Sequence, residues 1–305
     1  MFKKYLPGVP LYLIVSLTGI ILAALLLTFL FLYQRHEAHI TPAAAVFPKQ
    51  ITLASGALTA KSAILYDPAT GKVLYAKNAD VTMPLASLTK LMTAQVVLNT
   101  IPSSTLITLS NKDVSVEGDA GDWNLKAGDT MTLSNIIKLG LDASSNHAMS
   151  AAAAALGVNY IDDLNKTAGA LGLSHTYFLN STGLDLTEET SGAYGSASDI
   201  AHLAATFMHD YPGYFELSTS PSVTVPVSDS TSNRQVTVNA TALPILNIPG
   251  IIGVKTGYTD LAGGNLVVAF DEDINHPLIA VVLGSTEDGR FTDMRALIDA
   301  ARAQE

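Results

Sequence analysis

The chain has 305 residues, 48% of them hydrophobic, and a net charge of −10 with no basic run, which argues against a nucleic-acid binder. It holds no cysteine, so disulfides and thiolate metal sites are excluded and an extracytoplasmic domain must stand on its core alone. No histidine pair has a metal-ligand spacing of the HExxH kind; His36 and His39, the loose exception, read as a polar stretch beside a membrane. No metal and no cofactor are therefore expected.

From Leu11 to Tyr33 the chain carries no charge and is dominated by Leu and Ile. About 20 such residues cross a hydrocarbon core of ~30 Å, so 11–33 is predicted to span a lipid bilayer. Lys3 and Lys4 precede it, which puts residues 1–10 in the cytoplasm and everything after Gln34 outside. A cleaved signal peptide is the alternative, but its apolar region would run to about 7–15 residues with a small-residue site close behind. Here Ala43-Ala44-Ala45 lies well past the apolar stretch, and a retained anchor is favoured. Residues 34–58, rich in Thr, Pro, Ala and Ser without periodicity, read as a tether. One folded domain is expected over 59–305.

That domain opens with a hairpin signal: Ser62–Tyr66, the turn Asp67-Pro68-Ala69-Thr70-Gly71, then Lys72–Tyr75. Ser87–Asn99 turns helical, with apolar residues at 88, 91, 92 and 96. The middle, about 105–215, reads as helix-rich: Asn135–Leu141 capped by Ser134, an alanine-dense run His147–Leu156, and Asp199–Met208. Strands return at Ile251–Thr256, Asn265–Phe270 and Pro277–Leu283, and Asp288–Ala303 is a closing amphipathic helix. Strands at both ends with helices between them imply an α+β fold. Its mostly antiparallel sheet has about five strands, drawn from the N- and C-terminal segments, with an inserted helical subdomain.

Three motifs carry chemistry. Ser87-Leu88-Thr89-Lys90 puts a hydroxyl and an amine on one helix face. A serine is a poor nucleophile unless a neighbouring base takes its proton, and a lysine does so only when neutral, which needs desolvation or a nearby cation. Leu88, Leu91 and Met92 supply apolar flanks and Lys255 a cation. Ser144-Ser145-Asn146 falls on a loop between helices, where polar groups on a rigid scaffold often act; a plain helix cap by Asn146 is the blander reading. Lys255-Thr256-Gly257 ends an apolar strand. Its lysine and threonine suit a terminal carboxylate, and its glycine lets a substrate backbone come close. Alone, the first two motifs each arise by chance roughly once in a shuffled chain; the ordered set is far more specific.

With these residues in place, the chain resembles the serine-type D-Ala-D-Ala carboxypeptidases, the low-molecular-mass penicillin-binding proteins of the β-lactamase/transpeptidase-like superfamily. The likeness runs from about Ser62 to Ala301, through YDPATGKVLYAKNAD (66–80), LASLTKLMTA (85–94), LGLSHTYFLNSTGL (171–184) and GVKTGYTDLAGGNL (253–266). The resemblance implies Ser87 as acylated nucleophile and Lys90 as its base. It implies Ser144 as a proton relay to the leaving amine and Asn146 as holder of the substrate amide. Lys255 and Thr256 would grip the terminal carboxylate, with Gly257 beside them. The N–H groups of Ser87 and Tyr258 would form an oxyanion hole, and Arg290 would be a second carboxylate-binding group. The partners implied are the peptidoglycan stem peptide as substrate and β-lactams as covalent inhibitors.

Two departures stand out. The family commonly has Gly and Asp where Ser145 and His147 stand, and His147 is read here as a solvent-facing helix-start residue. The family also often carries an extra β-domain and a C-terminal amphipathic anchor. Neither pattern occurs up to Glu305, so anchoring is expected to fall to 11–33. A class A-like β-lactamase would need a deacylation glutamate in E-x-x-x-N context; Glu188 and Glu189 are the acids in the relevant stretch and no asparagine follows at that spacing. A non-catalytic penicillin or peptidoglycan sensor is disfavoured by the complete set of site residues.

Overall fold

The computed structural model describes residue 19 and residues 21–29, 50–54, 56–117, 125–273 and 276–303. The chain divides into two compact units, Met1–Pro48 and Lys49–Glu305. In the first, residues 21–29 are helical with exposed side chains. The expected tail 1–10, both ends of the expected span 11–33 and residues 34–49 of the expected tether lie outside the described residues. No helix among the described residues is long and apolar enough to cross a membrane.

In the second unit, strands β1 (Ser62–Asp67), β2 (Lys72–Lys77) and β3 (Met83–Pro84) precede a short 3-10 turn, Ala86–Leu88, and helix α1 (Thr89–Thr100). Next come β4 (Leu106–Thr108), α2 (Asn111–Val114), β5 (Thr130–Thr132), α3 (Leu133–Asp142), α4 (Asn146–Ala154) and α5 (Tyr160–Ala170). After β6 (Tyr177–Phe178), β7 (Ala193–Gly195), α6 (Ala197–Asp210) and α7 (Pro212–Leu217) there is a hairpin of β8 (Ser222–Ser228) and β9 (Asn233–Asn239). The chain closes with β10 (Ile251–Thr259), β11 (Gly263–Asp273), β12 (His276–Ser285) and α8 (Gly289–Arg302).

The five-stranded antiparallel sheet has the order β10-β11-β12-β1-β2, so the two ends of the domain share it as expected. The pairing Ile64↔Val281 fixes the register of β1 on β12. Alternation then splits the apolar residues between two cores. Ile64, Ile279 and Val281 face the helical side with Ile200, Leu203 and Phe207 of α6. Leu65, Val268, Phe270 and Val282 face Met294, Leu297 and Ile298 of α8. With both faces covered, the strands read as almost unbroken apolar runs. Truncating Leu297, which is wholly buried against the sheet, is expected to cost about 2–5 kcal/mol; urea unfolding of Leu297→Ala measures it.

Helix α1 is the inner element of the helical side. Every residue from Thr89 to Val97 is buried, as expected of a helix surrounded by protein. Lys90 therefore lies inside the protein. Several expected bounds shift by up to three residues, and one cap changes: Thr132, not Ser134, caps α3 by accepting from the Asn135 N–H. Two features of the sequence were not anticipated. Residues 50–54 and 56–58, read as tether, pack on the domain: Ile51 and Leu58 are buried, and the Ile51 N–H donates to Leu74 O at 2.8 Å. The hairpin β8–β9 joins β4 and β5 in a second, four-stranded sheet, pinned by the bidentate Arg234–Asp129 pair at 2.8 and 2.7 Å.

Candidate active site

Ser87 sits in the 3-10 turn that leads into α1, and that turn is clamped from three sides. Leu85 N–H donates to Ala193 O of β7 at 3.0 Å. The Asn265 amide of β11 donates to Pro84 O at 2.9 Å while its oxygen accepts from Gly284 N–H of β12 at 2.8 Å. Ala86 itself has φ +48°, strained for a residue with a Cβ. From below, Gly183 packs so close that a Cβ there would lie 1.8 Å from Ala86 O.

One helical turn on, the Lys90 amine lies 2.7 Å from Ser87 Oγ, 2.7 Å from Asn146 Oδ1 and 3.2 Å from Thr182 O. The amine donates to all three oxygens; once it has given up a proton, its lone pair can face the serine hydroxyl. Asn146 is the first residue of α4, and its amide also donates to Glu117 O at 3.3 Å. Ser145, whose side chain accepts from Ala148 N–H, is the cap of that helix. The cap therefore falls to Ser145, and the Asn146 side chain meets Lys90. His147 does not face solvent as expected. It is half-buried with Nε2 3.0 Å from Val116 O, and it holds the segment whose next carbonyl receives Asn146.

Ser144 lies just before, at φ +61°, and its Oγ accepts from the Lys255 ammonium at 2.9 Å. Lys255 is fully buried in β10, the edge strand of the sheet. Its amine also reaches Thr256 O at 2.9 Å. Burial first, then the charges of Lys90 and Arg290, push Lys255 well below the usual lysine range; Asp142 pulls the other way. Thr256 Oγ1 is 2.6 Å from Thr241 Oγ1. Gly257 brings β10 against the turn that carries Ser87: a Cβ on it would come within 3.1 Å of Ser87 N. Arg290, from α8, donates to Gly257 O at 2.8 Å, and burial lowers its pKa. These groups line a cavity of about 220 Å³ together with Leu184, Tyr258 and Glu287.

The structure thus gathers every predicted site residue around one cavity: Ser87, Ser144, Asn146, Thr256, Gly257, Tyr258 and Arg290 line it, and Lys90 and Lys255 stand behind its walls. A serine hydroxyl against a buried amine, with a second amine at a strand end, suits acyl transfer on a carboxylate-ended peptide. The D-alanyl-D-alanine carboxypeptidase family, peptidase S11, matches this sequence over residues 49–287. The chain belongs to that family. It is 34% identical over 255 residues to the D-alanyl-D-alanine carboxypeptidase DacF of Bacillus subtilis, a match covering 80% of this chain and 62% of the relative. To DacA of Escherichia coli K12 it is 31% identical over 255 residues, covering 79% and 60%. The chain thus spans about three fifths of the length of these relatives. Among solved structures, a mutant of the Streptomyces K15 DD-transpeptidase matches with TM-score 0.72 at 27% identity, covering 81% of this chain and 98% of that one. Penicillin-binding protein D2 of Listeria monocytogenes, in its ampicillin-bound form, matches with TM-score 0.69 at 27% identity over 80% and 98%.

Two contributors carried no side-chain signal of their own. Thr182 acts through a backbone carbonyl, and Thr241 is a lone threonine outside every motif. The family-like stretch ending at Leu184 was the available pointer to the first. Glu188 and Glu189 are exposed and neither lines the cavity.

Proposed function

We propose that this protein is a membrane-anchored D,D-carboxypeptidase that removes the terminal D-alanine from peptidoglycan stem pentapeptides. The observation that carries the reading is the Lys90 amine at 2.7 Å from both Ser87 Oγ and Asn146 Oδ1. Ser87 Oγ attacks the carbonyl of the penultimate D-alanine as its proton passes to Lys90, and the C–N bond then breaks. The leaving amine takes a proton through Ser144, and D-alanine departs. Water attacks the acyl-Ser87 ester with Lys90 again accepting a proton, which frees the shortened peptide and Ser87. Asn146 holds the substrate amide, and the N–H groups of Ser87 and Tyr258 receive the oxyanion. Lys255, Thr256 and Arg290 hold the terminal carboxylate. The ampicillin-bound Listeria relative supports β-lactams as covalent inhibitors here, since they carry an acylating carbonyl and a carboxylate.

The apolar run 11–33 with Lys3 and Lys4 before it supports a bilayer anchor with residues 1–10 in the cytoplasm and the catalytic domain, 59–305, outside. Incubating the purified protein with a pentapeptide ending in D-Ala-D-Ala should release D-alanine, and Ser87→Ala should reduce release and penicillin labelling to background. Labelling without D-alanine release would instead indicate a sensor. Rapid penicillin hydrolysis would indicate a β-lactamase.

A further inference from the structure

Asp142 is a buried acid that the reaction above leaves without a task. It is the last residue of α3, two positions before Ser144, and only 3% exposed. Both carboxylate oxygens are shut off from solvent without a hydrogen-bond partner. Every local consideration is against an ionised acid at this place. Burial without donors is costly, and the C-terminal end of a helix disfavours negative charge. A leucine or an amide would sit there more cheaply.

The end of α3 is tied to β10 on both sides. Asp142 O accepts from the N–H and hydroxyl of Thr241 at 3.0 and 3.3 Å, and the Thr241 hydroxyl meets Thr256 Oγ1. Two residues on, Ser144 Oγ receives the Lys255 ammonium. We propose that Asp142 is the buried counter-ion of Lys255, a positioning residue that keeps this lysine charged so that the cavity can hold a substrate carboxylate.

The charges acting on Lys255 are Lys90 from α1 and Arg290 from α8, which oppose its protonation, and Asp142 from α3, the one that favours it. In return, burial raises Asp142 to about 7 and Lys255 lowers it. Two cations act against the charge on the fully buried Lys255 amine, and the acid offsets them. Removing an anion beside a cation makes the cation lose its proton at lower pH. Without Asp142, Lys255 is therefore expected to become neutral within the working range, and capture of a carboxylate to fail there.

This inference rests on the acyl-transfer reading of the site, and its test separates the two. The rate of Ser87 labelling by a fluorescent penicillin is followed on the full chain from pH 5.5 to 10, for the wild type, Asp142→Asn and Ser87→Ala. A penicillin methyl ester, which lacks the carboxylate, serves as the second probe. Asp142→Asn is expected to move the alkaline limb of labelling down by a pH unit or more. Its labelling rate at the alkaline end should fall at least tenfold. With the ester, the ratio of Asp142→Asn to wild type should not change with pH. An unmoved limb, an equal loss at every pH, or a variant that no longer folds overturns the counter-ion role while leaving the site reading intact. Absence of Ser87-dependent labelling in the wild type overturns both.

Discussion

Lys90→Met is expected to slow acylation of Ser87 by roughly 10²- to 10⁴-fold, the usual contribution of a positioned general base. The side chain is unbranched and similar in length, and Lys90 is completely buried, so the cavity shape survives. Two accepted hydrogen bonds are lost, at Asn146 Oδ1 and Thr182 O, at a cost of about 1–3 kcal/mol each if nothing replaces them. Against that, a buried cation near Lys255 and Arg290 is removed, which relieves repulsion. The fold should therefore melt within a few degrees of the wild type, while labelling by penicillin nearly stops. Lys90→Arg sharpens the comparison. A guanidinium keeps the charge and the donors but does not give up its proton at any working pH. If Lys90 served only as a charge, Arg would retain activity; as a base, Arg should be as slow as Met. Single-turnover labelling of both variants, beside their thermal unfolding, decides it. A loss of less than tenfold in both would show that the Ser87 proton leaves by another route.

What the sequence made legible follows the range of the interactions. Ser87 and Lys90 are three apart, and helical geometry alone brings their side chains to one face. Lys255 ends an apolar run, so its place at a strand end needed only periodicity. The five-stranded sheet was readable because its strands are apolar on both faces and sit at the two ends of the domain. The hairpin β8–β9 also had a signal, since Val223, Val225 and Val227 alternate with exposed residues. Pro226 falls within that run and argues against a strand; in the fold it takes one of the exposed positions. Other parts were beyond reach for a physical reason. Thr182 contributes a carbonyl oxygen, which no side-chain pattern encodes. Thr241 and Asp142 matter because chain segments about 100 residues apart meet at Thr241–Asp142. His147 was read as solvent-facing because its contact is with Val116 O, a segment about 30 residues away.

Gly183→Ala is expected to be the most damaging single methyl group that can be added near the site. Gly183 has φ +82°, where a residue with a Cβ is strained by roughly 1–2 kcal/mol. The new Cβ would stand 1.8 Å from Ala86 O and 2.5 Å from Thr89 Oγ1. The first of these is a backbone atom, so relief requires moving either the Asn180–Leu184 segment or the nucleophile turn. The segment is held by Asn180 Oδ1, which accepts from Thr182 N–H and Gly183 N–H at 3.1 and 2.7 Å. The turn is held by Asn265 and by the Thr89 hydroxyl, which donates to Ala86 O at 2.7 Å. Neither yields easily, and overpacking of this kind adds about 1–3 kcal/mol or more. A total of about 2–5 kcal/mol is a large part of the 5–15 kcal/mol that holds a typical domain. The same displacement reaches the chemistry, because Thr182 O and Ser87 are the two ends of the Lys90 contact set. A shift of about 1 Å there is enough to cost roughly 10²-fold in rate. Urea unfolding should give the lower stability, and penicillin labelling well below the unfolding midpoint should show the slower acylation in molecules that remain folded. A variant that keeps both the wild-type midpoint and the wild-type labelling rate would mean that the close approach of Gly183 to Ala86 does not hold the nucleophile in place.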